Sequence, residues 1–190
     1  MRRLLPLTVL AVVLAACATP TVTGPPKSPP TPTSPPGVTE FLFEHERFTF
    51  VYPSNWTNRE DRYPGFVQPN PEFGTEEPAL VSGDGLSFFI GLRSLPDGTE
   101  LQTLVDETYA RLLEDGLIEE MLSEGEASLD ELPAWERVYK RFWGEPLIQQ
   151  RDLWAERDGQ VYVVSCRASP SGFDGLMPLC DQILAGLTLR

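Results

Sequence analysis

The chain has 190 residues, with 28 acidic side chains against 15 basic ones, one histidine and three cysteines. Every acid lies beyond residue 38, where 28 acids face 12 bases for a net charge of −16. That balance argues against a nucleic-acid partner, since affinity for phosphates rests on Lys and Arg, and the scarcity of His and Cys leaves little from which to build a metal centre.

Arg2 and Arg3, followed by an apolar run from Leu4 to Leu14, have the form of an export signal. The run is shorter than the roughly 20 residues that a membrane-spanning helix needs. It closes on Leu14-Ala15-Ala16-Cys17, which resembles the lipobox of bacterial lipoproteins. The resemblance implies that residues 1–16 are a signal peptide and that cleavage exposes Cys17 with diacylglycerol on its thiol. Two acyl chains anchor a protein stably where one does not. Residues 18–38 carry eight prolines and cannot bury a core. They form an extended leash of about 3.1 Å per residue, roughly 65 Å in all. Residues 17–38 are thus the lipidated cysteine and its linker, and 39–190 a domain of about 150 residues that buries roughly 70% of its unfolded surface. The expected location is the cell membrane or the outer membrane, lipid-anchored, with the domain on the extracytoplasmic side.

With Cys17 assigned to lipid, Cys166 and Cys180 remain in a compartment that permits disulfides. A bridge closing their 15-residue loop is worth about 3 kcal/mol in the chain-entropy model. Two buried free thiols are the alternative.

Along the domain, Phe41–Phe43 and Phe48–Tyr52 read as strands, the second stopped by Pro53. Residues 53–78 read as a long irregular loop with Trp56 and Tyr63, and loops of that length are often functional. Ser82-Gly83-Asp84-Gly85 is a turn, and Leu86–Leu92 a buried strand. Thr99 and Gln102 have capping-box spacing, opening a helix through Leu101, Leu104, Val105, Thr108 and Leu112 that Gly116 stops. Leu117–Leu129 is acidic and ambiguous. Ala134–Trp143, Leu147–Arg157 and Val161–Ala168 read as strands, the last two joined by the hairpin pair Asp158-Gly159. A C-terminal helix follows through Leu176, Cys180, Ile183, Leu184 and Leu187, either starting near Pro178 or kinked there.

This order gives an α+β domain. Phe48-x-Phe50-x-Tyr52-Pro53-x-x-Trp56 resembles the opening of the PsbP-like (Mog-type) superfamily. Pro133-Ala134, the run Gly159–Ser165, and Ile183 with Leu187 are similar to its closing half. The resemblance implies a central antiparallel sheet of about six strands flanked by helices, and it carries over no functional residue. Nuclear-transport-factor-like and cystatin-like sheets are the alternative folds.

Catalytic patterns are sparse. His45, in Glu44-His45-Glu46, has no nucleophile elbow near it. The acidic stretch Glu119, Glu120, Glu124, Glu126, Asp130 and Glu131 lacks the ligand spacing of an EF-hand loop and reads as a solvated face. Gly83-Asp84-Gly85 lacks the lysine and helix of a phosphate loop. No catalytic residue, metal or cofactor is expected. The feature that stands out is Trp135-Arg137-Tyr139-Arg141-Trp143, whose alternation puts all five on one face of a strand. Arginine between aromatic rings can stack, so these five with Trp56 and Tyr63 form the candidate ligand or partner surface, against the plainer reading of aromatics packed beneath a helix. The expected function is a non-catalytic envelope lipoprotein that binds a protein partner or serves assembly. The alternative is a small-molecule or metal-ion binder using a pocket between the 53–78 loop and the Arg-aromatic strand. A carboxylate-pair hydrolase ranks last.

Overall fold

The computed structural model describes residues 39–62, 67–142 and 146–190. The signal, Cys17 and the linker lie outside the described residues, as do Tyr63 and Trp143. The elements in order are β1 (Glu40–His45), β2 (Phe48–Pro53), β3 (Thr57–Asn58), a single turn α1 (Arg59–Arg62), β4 (Gln68–Asn70), β5 (Thr75–Gly83) and β6 (Leu86–Ser94). Helix α2 (Leu101–Glu114) follows, then β7 (Ile118–Leu129), β8 (Leu132–Phe142), β9 (Leu147–Arg157), β10 (Gln160–Ala168), α3 (Phe173–Ala185) and β11 (Thr188–Leu189).

These strands form an antiparallel sheet in the order β3-β5-β6-β10-β9-β8-β7, with β4 also paired to β5, and a three-stranded sheet β1-β2-β11. The expectation of about six strands flanked by helices is therefore corrected. Among the described residues there are eleven strands in sheets of eight and three, and two helices longer than one turn. The small sheet and α3 cover one face of the large sheet, and α2 covers part of the other. Prolines concealed the extra strands. Pro78 sits where the β5–β6 register shifts, between Glu76 and Ala79, a bulge position that tolerates a missing N–H. Residues 53–78 are accordingly not one irregular loop, for β3, α1, β4 and the start of β5 lie within them. Strand β7 was hidden by its charge. It is a largely exposed edge, and charges there deter pairing with other chains.

Alternation along β10 sorts the two layers. Tyr162, Val164, Cys166 and Ala168 join the first core with Phe43, Phe48, Phe50, Phe88 and Ile183. Val161 and Val163 join the second, with Phe73, Tyr109, Leu112, Tyr139 and Trp154. A disulfide joins Cys166 to Cys180, Cα atoms 6.3 Å apart, tying α3 to the central strand. Helix α3 runs through Pro178. Helix α2 begins differently from expectation: Glu100 is its N-cap and makes no side-chain cap, so the Thr99–Gln102 capping box does not form. Three hairpins turn on two positive-φ residues each, at Asp84-Gly85, Asp130-Glu131 and Asp158-Gly159, as type I′ turns require.

Candidate functional site

Strand β8 places Trp135, Arg137, Tyr139 and Arg141 on the α2-facing side of the large sheet, as its period requires. Arg137, Tyr139 and Arg141 are buried and Trp135 half-buried. Each buried polar group meets a partner from another element. Arg137 donates from Nη2 to Asp106 of α2 at 2.5 Å and pairs through Nε with Glu124 at 3.6 Å. Its guanidinium lies 5.7 Å from the Tyr109 ring centroid. Arg141 makes a two-pronged pair with Glu72, at 2.5 and 2.7 Å, and there the 53–78 segment reaches the ladder. That pairing, against the cost of burial, holds the Arg141 pKa above its usual value.

Beneath the ladder lies a network on β9. Tyr109 and Tyr139 both donate to Asp152 Oδ2, at 2.5 and 2.8 Å, and Gln150 donates to Oδ1 at 2.7 Å. Trp154 donates to the Tyr109 oxygen at 3.1 Å, and Arg167 of β10 donates from Nε to Gln150 Oε1 at 2.7 Å. Gln150 and Asp152 are 0% exposed. Burial first, and the Asp152 charge second, push both tyrosines well above their usual pKa. Chemically the network is closed: each hydroxyl and amide is spent on a neighbour.

Beyond the end of this network, on the same face, is a cavity of about 340 Å³ lined by Leu80, Ser82, Ser87, Phe89, Ile148 and Arg167, among others. A second concavity runs beside β1, in two lobes of about 540 and 380 Å³ that share His45, Val67 and Pro78. Strand β1 is outermost in its sheet, and its Phe41 and Leu42 are 51% and 59% exposed.

The remaining predicted residues are dispersed. Trp56 lies in the opposite layer, in the first core. It donates to Asp84 at 3.0 Å and approaches the backbone so closely that a Cβ on Gly83 would sit 2.3 Å from its ring. Trp56 therefore does not join the ladder. His45 accepts the Arg47 N–H at 3.2 Å and stacks on Phe48. In the acidic stretch Glu120 pairs with Lys140 at 2.7 Å and Asp130 accepts the Leu189 N–H at 2.8 Å. Among the described residues, no group of three His, Cys, Asp or Glu is placed to hold a metal. Sequence reasoning passed over Glu72, Tyr109, Gln150, Asp152 and Arg167. The available signal was Gln150-x-Asp152-x-Trp154, polar residues at period two within a strand otherwise fit for burial.

No protein-family model matches the chain, and no curated protein matches its sequence. Solved structures do. The cyanobacterial PsbP (CyanoP) of Synechocystis sp. PCC 6803 is similar with a TM-score of 0.59 at 11% identity, over 80% of this chain and 94% of that one. The Saccharomyces cerevisiae Ran-binding protein Mog1p is similar at 0.53 and 10% identity, over 80% and 96%. A Pseudomonas aeruginosa protein of unknown function, described as a putative regulator, follows at 0.51 and 14%, over 80% and 97%. At these identities the likeness is one of fold, and the fold of this chain is the PsbP/Mog1 type.

Proposed function

We propose that this chain is a cell-envelope lipoprotein, anchored through Cys17, whose domain binds a protein partner and does no chemistry of its own. The lipobox resemblance and the proline-rich leash support the anchor, and among the described residues no helix is long and apolar enough to cross a membrane. The closed hydrogen-bond network supports a binding and not a catalytic role. Fold likeness carries no function by itself. The observation that carries the binding role is the pair Phe41 and Leu42, half or more exposed on an outermost strand beside a groove with Val67 and Pro78. An outer strand flanked by a groove is suited to an extended segment that adds as a further strand. The domain charge of −16 matches a partner segment of net positive charge.

The test is photo-crosslinking from position 42 in the lipidated protein in its own membranes. A specific adduct that disappears in Phe41→Ser supports the reading, and the absence of any adduct at 42 overturns it. Cys17→Ser should move the protein from the membrane to the soluble fraction, and its retention in the membrane would refute the anchor.

A further inference from the structure

The outer edge of β1 fixes the chemistry and register of the segment that suits it, an inference that rests on the partner reading above. The Ser54 N–H donates to the Thr39 carbonyl at 2.8 Å, and the register continues with Phe41 opposite Tyr52 and Phe43 opposite Phe50. Antiparallel ladders alternate hydrogen-bonded with non-bonded pairs. Phe41 and Phe43 therefore spend their backbone groups on β2, while Leu42 and Glu44 turn theirs outward. Among the described residues no strand lies on that side of β1. Side chains alternate in step with the backbone. Phe43 enters the first core and Phe41 sets its edge against the Tyr52 ring at 6.1 Å, so both face the large sheet. Leu42 and Glu44 stand on the other face, Leu42 59% exposed and Glu44 exposed.

Cross-strand neighbours share a face, so the edge dictates an alternating partner. Residues opposite Phe41 and Phe43 point into the groove with Val67 and Pro78 and are apolar. On the other face an apolar residue suits Leu42, and a basic one suits Glu44, in keeping with the −16 charge of the domain. A second copy of this chain does not fit. Two β1 edges paired antiparallel about Leu42 set Glu44 of one opposite Glu40 of the other, and like charges there are destabilising. Parallel addition is disfavoured as well, since parallel ladders are less stable and belong to sheets covered on both faces. We propose that β1 takes an extended segment of a different protein, added antiparallel, with a basic residue opposite Glu44 and, two positions later, an apolar residue opposite Leu42.

The probes are the capped, dye-labelled peptide Thr-Lys-Val-Val-Val-Thr and its counterpart with Glu for Lys, titrated by anisotropy into the purified full-length chain in neutral detergent. The Lys peptide should saturate and the Glu peptide should bind about tenfold more weakly. Glu44→Lys should reverse that order. Glu46→Lys changes the net charge equally but lies in the turn after β1, and it should keep the order. Leu42→Pro deletes an outward N–H without touching the bonds to β2, which an edge strand tolerates, and it should abolish binding of the Lys peptide. Leu42→Ser keeps the N–H and should only weaken it severalfold. No saturable binding of the Lys peptide, equal affinity for the two peptides, an order unchanged by Glu44→Lys or reversed by Glu46→Lys, or full binding by folded Leu42→Pro each overturn the proposal. A protein adduct from position 42 that Glu44→Lys leaves undiminished overturns the register and charge proposed here while the partner reading stands, so the two failures are distinguishable.

Discussion

Replacing Asp152 by Asn tests whether the buried network is held by charge or merely by shape. In the native protein Asp152 accepts three hydrogen bonds, two from tyrosines on Oδ2 and one from Gln150 on Oδ1. Asn keeps one oxygen, which can still serve the tyrosines, but its amide then faces the Gln150 amide, donor against donor. Gln150 cannot flip to help, because its oxygen is already holding Arg167. Two bonds change from charge-assisted to neutral at about 1 kcal/mol each, and one buried donor is left unsatisfied at about 1–3 kcal/mol. The loss is about 3–5 kcal/mol. Relief of the desolvation of Asp152 works the other way. Three donors aimed at one carboxylate argue that it does not win. Urea unfolding followed by tryptophan fluorescence should show the midpoint falling by about 2 M at a typical slope of about 2 kcal/mol/M. A second substitution sharpens the test. In Asp152→Asn with Gln150→Glu, the carboxylate moves one position: the new Glu accepts from both the Asn amide and Arg167, and every donor again has an acceptor. The double variant should be clearly more stable than Asp152→Asn alone. A shift under about 0.5 M for the single variant, or no recovery in the double, would refute the reasoning.

Tyr109 and Tyr139 keep their protons in the fold well above the usual tyrosine pKa, so above about pH 10 only the unfolded chain ionises there. Stability from this source is complete below pH 10 and falls as pH rises beyond it, by up to about 1.4 kcal/mol per pH unit for each tyrosine; a urea midpoint flat from pH 9 to 11.5 would contradict this. Breaking the Cys166–Cys180 bond by the double alanine variant should cost about 3 kcal/mol from loop closure, read as a lower midpoint without reductant. Glu131 takes a left-handed conformation, φ 63°, in the β7–β8 turn, so Glu131→Gly should raise stability by about 0.5–1 kcal/mol, and a lower melting temperature would show that the Glu131 side chain contributes more than its backbone costs.

Much of the scaffold was legible because local signals and burial agree. The i, i+3, i+4 apolar spacing of α2 buries Leu104, Val105, Thr108 and Leu112 as written, and Asp158-Gly159 joins β9 to β10 at the predicted turn. Strands whose chemistry contradicts their conformation were not legible. Pro69 and Pro78 punctuate β4 and β5, and β7 is a run of acids whose exposed edge needs no apolar face. The ladder on β8 was visible as a pattern, but its occupants were not. Arg137 and Arg141 are neutralised by Asp106 and Glu72, from a helix and a loop distant in sequence, and only the tertiary fold brings those acids in. Asp152 shows the limit most plainly. A single carboxylate in a strand announces nothing until Tyr109 and Tyr139 converge on it from two other elements.

The pleat of β10 has a consequence for thiol chemistry. Cys166 and Arg167 are consecutive, about 3.8 Å apart at Cα, yet their side chains enter opposite layers. A cation beside a cysteine lowers its pKa and quickens exchange, whereas apolar surroundings raise it and make the sulfur inert. Here the main chain, with its ladder bonds to β6 and β9, stands between the sulfur and the guanidinium. The sulfur is left among aromatic and aliphatic side chains. If the bond were opened, the Cys166 thiol would be a sluggish nucleophile despite its charged neighbour, and the staple between strand and helix would behave as an inert structural tie and not as a redox sensor.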